Sequence, residues 1–130
     1  MDRSVQIERV PYPTDARGLV LEPLAASEIP DQRNAHIVIT NPGAVRGNHY
    51  HERGDEVTVV IGPALARHAV DGEIRDFLVP DGEAYRFRFP RGVPHAFQNT
   101  GDRPILLIGF NTRPHDPADP DAIRFLLIET

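Results

Sequence analysis

His49-Tyr50-His51, Glu56 and His95 are the residues of this chain best suited to chemistry. Imidazole and carboxylate are the side chains that hold divalent first-row metals, and Zn, Fe, Mn or Ni would suit such a set. Three histidines and one carboxylate around a single ion leave one or two coordination positions open, which is where a metal acts on a substrate. Residues two apart on a strand share a face, about 6.5–7 Å apart. His49 and His51 therefore project together, and Tyr50 projects to the other side. Glu52-Arg53-Gly54-Asp55 reads as a turn that sends the next strand back antiparallel and returns Glu56 to the histidines. His95 opens a later strand after Pro90-Arg91-Gly92-Val93-Pro94, with Phe97 and Asn99 on its face. Phe97 is expected in the pocket floor or the core. The other histidines lack such company: His36 is read as packing, His68 as strand surface and His115 as loop.

The elements that position these residues are short and β-rich, with turn signals every eight to twelve residues or so, as in a sandwich or barrel. Strands are expected at Ser4–Val10, Gly18–Leu24, Ala35–Thr40, Gly47–His51, Glu56–Ile61, Ala64–Val70, Ile74–Val79, Ala84–Phe89, Pro94–Asn99 and Ile105–Asn111. Asp71-Gly72 is a two-residue hairpin signal. Ser27–Arg33 is read as a loop or one helical turn, and Ala122–Ile128 as a final short strand or helix. Glu56–Ile61 and Ile105–Phe110 are apolar on both faces, whereas a sheet with one wet face alternates more cleanly. Their outer face therefore needs cover, for which a homodimer is the favoured expectation and the N-terminal strand the alternative.

At 130 residues the chain is expected to form a single domain, 1–130, with a real core. A net charge of -5 and the lack of a basic tract argue against nucleic-acid binding. The absence of cysteine excludes disulfides, thiolate metal sites and a cysteine nucleophile. No apolar run approaches the roughly 20 residues of a membrane span, and Met1-Asp2-Arg3 begins no apolar signal core. A soluble cytoplasmic protein without membrane partners is the expectation.

The motifs resemble those of the cupin superfamily. Gly43, His49, His51, Glu56 and Gly62 follow its first motif, with the last gap one residue short; Pro90, Gly92, His95 and Asn99 follow its second in full. The resemblance implies an all-β fold, a cupin-type double-stranded β-helix (an antiparallel jelly-roll barrel) with a metal inside its mouth. Asp15-Ala16-Arg17-Gly18 with Glu22 is similar to the opening of the nucleotide-sugar 3,5-epimerase group. Asn41-Pro42-Gly43 through His51, and Asp116-Pro117 through Pro120-Asp121, resemble the C-terminal cupin domain of capsular-polysaccharide-assembling enzymes. That likeness implies an epimerase or isomerase of a nucleotide-activated 4-keto-hexose, here as the cupin part standing alone. The metal-free epimerases of the group use a histidine at the position of His49 as base and a late-strand tyrosine as acid. The matching stretch here, Ile108-Gly109-Phe110-Asn111, has no tyrosine.

Epimerisation next to a ketone needs the α-proton removed and the enolate stabilised. A metal on His49, His51, Glu56 and His95 would be the Lewis acid. A metal-bound imidazole nitrogen has no free lone pair, so on that nitrogen His49 is either ligand or base. If it is a ligand, the base falls to a metal-bound hydroxide, Glu22 or Tyr85; without metal the base is His49. Guanidinium groups pair bidentately with phosphate, so Arg17 and Arg46 are the candidates for a diphosphate, with Arg86 and Arg88 behind them. Asn99 is expected at the barrel mouth, as a substrate contact or a turn and second-layer hydrogen bonder. The alternatives are an iron-dependent dioxygenase of a small molecule and a non-enzymatic small-ligand-binding barrel, since one barrel hosts many chemistries.

Overall fold

Two five-stranded antiparallel sheets face each other in the computed structural model, which describes residues 4–130. Met1-Asp2-Arg3 lies outside the described residues. In spatial order the first sheet is β1 (Gln6–Arg9), β9 (Ala84–Phe89), β6 (Glu56–Ile61), β11 (Ile105–Asn111) and β4 (Asn34–Thr40). The second is β12 (Ala122–Arg124), β5 (Val45–His51), β10 (His95–Asn99), β7 (Ala64–Val70) and β8 (Glu73–Val79). A two-residue hairpin, β2 (Thr14–Asp15) with β3 (Gly18–Leu19), stands apart. The result is the expected all-β, cupin-type jelly roll. None of the described helical segments is long and apolar enough to cross a membrane.

The strands form where apolar residues alternate. In β11, Ile105, Leu107, Gly109 and Asn111 are buried inward while the residues between them are partly exposed. Asp71 and Gly72 both adopt positive φ, 52° and 77°. That is the backbone of a two-residue turn matching the twist of β7 and β8. Val60, Val79, Phe87, Phe89, Phe97, Ile105 and Leu107 fill the space between the sheets.

The expected strand Gly18–Leu24 shrinks to Gly18–Leu19. The rest of that stretch has another use. Val57 and Val59 of β6 are buried on the outer face, opposite Val60. Their register partners on β9 are Arg88 and Arg86. Arg86 Nε donates to Pro23 O at 2.8 Å, Arg88 pairs with Glu28, and Leu24 is buried. The segment from residue 21 to 33, with a 3-10 turn at Ile29–Asp31, thus covers the outer face of the first sheet. That cover reaches β6 and β9, while Ile37 and Ile39 on β4 stay exposed on the same sheet. Arg86 and Arg88 are committed to Glu8 and Glu28 on the outer side of the barrel.

Candidate functional site

The metal-ligating candidates come together at the interface of the two sheets. Among the described residues, one donor atom from each of His49, His51, Glu56 and His95 lies within 4.8 Å of the others. The second sheet supplies the histidines, from β5 and β10, and the first supplies Glu56 at the start of β6. His95 and His49 are direct register partners. Two local features make that pairing possible. Gly47 has φ of +93°, and a Cβ there would lie 2.7 Å from the His95 carbonyl oxygen, so only glycine lets β5 approach β10 this closely. The next register partner of β10 after His49 is Gly47, which leaves Asn48 as an extra residue with φ of 56°. This is a β-bulge, a device that re-aims neighbouring side chains. It turns His49 and Arg46, three residues apart, into the same cavity. The Asn48 side chain is tied to the C-terminal segment. Its Oδ1 accepts from the Leu127 and Ile128 amides, both at 3.0 Å, and its Nδ2 donates to Ile128 O at 2.9 Å.

Glu56 is the electrostatic centre. Its Oε1 accepts from His51 Nε2 at 2.8 Å and Asn111 Nδ2 at 3.3 Å, and Thr58 Oγ1 donates to Oε2 at 2.6 Å. Burial pushes the carboxyl up, but His95 and His51 outweigh it and hold Glu56 well below the usual carboxylate range. Burial works against a charge on His51 too; the bond to Glu56 overcomes it and raises His51 above the ordinary imidazole value. His49 goes the other way. Burial, then the neighbouring His95, lowers it from 6.5 to about 4, so it is neutral near pH 7. His95 is 2% exposed and its ring stacks on Phe89 at 4.2 Å. Asp121 Oδ2 stands 3.8 Å from His51 Nδ1 and accepts the Gly54 amide at 2.9 Å, while its Oδ1 accepts the Arg53 amide at 2.8 Å. One carboxylate therefore clamps the turn between β5 and β6 and faces the back of a cluster histidine, an arrangement that orients a metal-ligating imidazole.

The donor set suits a cation. The His95 Nδ1–H donates to Val93 O at 3.0 Å, which leaves Nε2 to face the cluster. Nε2 is buried, sits 3.0 Å from Glu56 Oε2, and is in no aligned hydrogen bond. A lone pair facing a carboxylate calls for a positive charge between them, either a proton or a metal ion. Nitrogen and oxygen donors about 2.1 Å from one ion stand at most about 4.2 Å apart. The observed 4.8 Å limit is a few tenths of an ångström wider.

The remaining expectations divide. Arg46 is exposed at the rim of a cavity of about 260 Å³, and Phe97, Thr58 and Leu107 line its walls with the cluster. Phe97 also packs in the core. Arg17 does not approach this cavity: it sits in the β2–β3 turn, exposed and paired with Asp15 at 2.6 Å. Asn99 is not a substrate contact. It is 1% exposed, its Nδ2 donates to Thr40 O and Arg103 O at 3.0 and 2.7 Å, and its Oδ1 accepts the Gly101 amide at 2.9 Å. Every polar group of that amide is used in closing a turn. Glu22 lines a separate recess with Arg9, Leu24 and Arg86. Tyr85 packs on Phe77 at 4.9 Å, four residues along β9 from the Phe89 that touches His95, about 13 Å away. Neither reaches the cluster. His68 is buried on β7 beside His95, contrary to a strand-surface position, because it shares the inward face with Ala64 and Ala66 and its ring lies 6.3 Å from Phe89. His115 is exposed in a loop, and Tyr50 turns away to pack near Phe125. Asp121, Asn111 and Thr58 are contributors that sequence spacing did not single out.

The model of the family described as the polysaccharide biosynthesis C-terminal domain matches residues 13–123. A relative from Haloferax volcanii, named as a probable low-salt glycan biosynthesis epimerase, Agl13, is 29% identical over 133 residues. The match takes in 92% of this chain and 85% of the relative. The sugar 3,4-ketoisomerase QdtA from Thermoanaerobacterium thermosaccharolyticum, solved with TDP, superposes with a TM-score of 0.71 at 18% identity over 95% of this chain and 90% of that one. The capsular polysaccharide assembling protein CapF from Staphylococcus aureus gives 0.68 at 24% identity over 91% of this chain. This chain spans only 33% of its length. At these identities the solved structures establish the fold, and the family match establishes kinship: the chain belongs to the polysaccharide biosynthesis C-terminal domain family.

Proposed function

We propose that this domain, taken as spanning 1–130, is an enzyme that epimerises or isomerises a nucleotide-activated 4-keto-hexose by enolisation next to the ketone, with one divalent cation held by His49, His51, Glu56 and His95. The observation that carries this reading is the four-donor cluster, with Glu56 and His95 buried and His49 and His51 half-buried, three of whose members line a cavity between the sheets. The names borne by similar proteins support the substrate class: a glycan biosynthesis epimerase and a ketoisomerase solved with TDP. When bound, the cation would supply Lewis acidity toward a substrate oxygen. The chain's own part is to hold and orient. Thr58, Asn111 and the histidines keep Glu56 ionised, Asp121 fixes the back of His51, and Phe97 and Leu107 exclude water from one wall. Arg46, at the rim, is the candidate for the diphosphate. In the reaction the α C–H bond breaks, a base takes the proton, and the electron pair enters the enolate. Return of a proton to carbon regenerates the ketone. The exposed Ile37 and Ile39 on the open edge strand β4 support a homodimer, and a cytoplasmic setting accords with a cysteine-free chain.

A second reading of the same cluster has an observation of its own. Glu56 already stands 2.8 Å from His51 and 3.0 Å from His95, with His49 neutral beside them. In a cluster without metal, His49 is the base.

The experiment is metal analysis of untagged protein together with incubation in D2O with UDP- and dTDP-4-keto-6-deoxyhexoses, read by mass spectrometry. The expected result is about one equivalent of a divalent metal and deuterium beside the ketone. Full exchange by chelator-stripped protein would favour the second reading. Absence of exchange with every keto sugar would remove the proposal, and substrate-linked oxygen uptake by iron-loaded protein would put a dioxygenase in its place.

A further inference from the structure

The cavity that reaches the cluster has one lining imidazole that the cluster does not use. His36 stands on β4, in the sheet facing β5 and β10. Strand alternation points Asn34, His36 and Val38 inward, and both His36 and Val38 line the cavity. The register partner of His36 is Gly109 on β11. The ring lies across that glycine: a Cβ on residue 109 would meet His36 Nε2 at 2.4 Å and Cε1 at 2.5 Å. The Nε2 edge therefore occupies the inward space where any other side chain at 109 would begin. This is the stretch, Ile108-Gly109-Phe110-Asn111, in which no tyrosine is found.

A line of amides fixes the proton on this ring. Glu56 is ionised and can only accept, so Asn111 presents Nδ2 to it, at 3.3 Å. Asn111 Oδ1 then faces Asn34 Nδ2, at 3.3 Å. The second hydrogen of Asn34 Nδ2 is left for His36 Nδ1, at 3.4 Å. A ring whose Nδ1 accepts carries its proton on Nε2 when neutral. Nε2 is the atom that lies over Gly109, and both residues line the cavity.

We propose that His36 is a catalytic residue of this cavity, its Nε2–H donating a hydrogen bond to the keto oxygen as negative charge gathers there. The inference rests on the keto-sugar reading above. His36 stands on the strand β4, away from the cluster histidines, and is tied to Glu56 only through Asn111 and Asn34. A neutral imidazole is a competent electrophile when its proton is fixed by its surroundings, and a preorganised donor to a developing oxyanion contributes about 100- to 1000-fold in rate.

The test combines kinetics and nitrogen-15 NMR of the imidazole rings in the full chain. His36→Leu is expected to lower kcat for exchange and turnover about 100- to 1000-fold with KM changed by less than about threefold, the mark of an interaction made in the transition state. His36→Gln, which keeps an N–H donor, is expected to recover about tenfold of that loss. Gly109→Ala, which displaces the ring and keeps the imidazole, is expected to lose activity as His36→Leu does. The spectrum is expected to show His36 protonated on Nε2 in the parent and to lose that preference in Asn34→Ala. His36→Leu at near-parental kcat, or an Nδ1-protonated ring in the parent, overturns the proposal alone. A parent that exchanges no keto sugar overturns the keto-sugar reading and this proposal with it.

Discussion

The interior has two halves that differ in kind although the same strands build both. β6 contributes Glu56 and Thr58 to one half and Val60 to the other; β10 contributes His95 and then Phe97. Along β9, Phe89 meets His95, Phe87 fills the centre, and Tyr85 reaches the far side against Phe77. The ring-filled half buries apolar area with no polar group to satisfy. The cluster half buries a carboxylate and several imidazoles, a costly arrangement that the bonds of Glu56 to His51, Thr58 and Asn111 offset, while His95 Nε2 is left without an aligned bond. Shape is thus held by one half and chemistry by the other, with the Phe89–His95 stack as the seam.

The sharpest way to break this division is to remove a ligand. His51→Ala is expected to abolish stoichiometric metal binding while the fold persists; a full equivalent retained, by elemental analysis, would remove His51 from the ligand set. Phe87→Ala should do the converse. It is expected to cost about 3–5 kcal/mol of stability in urea unfolding, with metal content unchanged below the transition. Metal loss in the folded variant would mean that the halves are coupled.

Acid should address the cluster half alone. In metal-free protein the folded value of His49, about 4, lies below its ordinary 6.5, so the unfolded chain takes up the proton first. Its contribution is fully present above pH 6.5 and is lost as the pH falls toward 4, by about 3 kcal/mol at most. His51 is shifted upward, so its contribution is present below pH 6.5 and fades as the pH rises through its raised value. Stability should therefore peak near pH 6.5. His49→Asn is expected to flatten the acid limb in a pH series of urea unfolding; an unaltered limb would assign the loss to other groups. The smallest effect is expected from Asp121→Asn, a weakening of metal affinity by about 10- to 100-fold. Titration against a competing chelator reads it, and an unchanged affinity would reduce Asp121 to a turn clamp.

The convergence of the cluster was legible in the chain because strand periodicity and one tight turn suffice to bring His49, His51 and Glu56 together. Strand positions followed from alternation, with β4 to β11 each within a few residues of expectation. What could not be read depended on distant pairing. Val20, Leu21 and Leu24 look like strand, yet Val20 stays exposed and Leu24 is buried in a cover, because β6 and β9 present an outer face that needs one. Asn99 carries a motif position but is consumed by backbone groups at Thr40, Gly101 and Arg103. Glu22 and Tyr85 are chemically suitable and spatially remote. His36 had no neighbour in sequence to mark it; its place is set by a missing side chain on another strand. A hint for the bulge was present: Gly47-Asn48 inside an otherwise regular strand is a pair that tolerates positive φ.

The fastening of Asn48 to Leu127 and Ile128 has a practical corollary. Leu127 and Ile128 act as a latch on the kinked strand that aims His49, so removing them would loosen the proposed ion-binding end without touching any of its candidate ligands. A version of this chain cut before Leu127 that retained little metal would point to the lost latch before it pointed to the histidines.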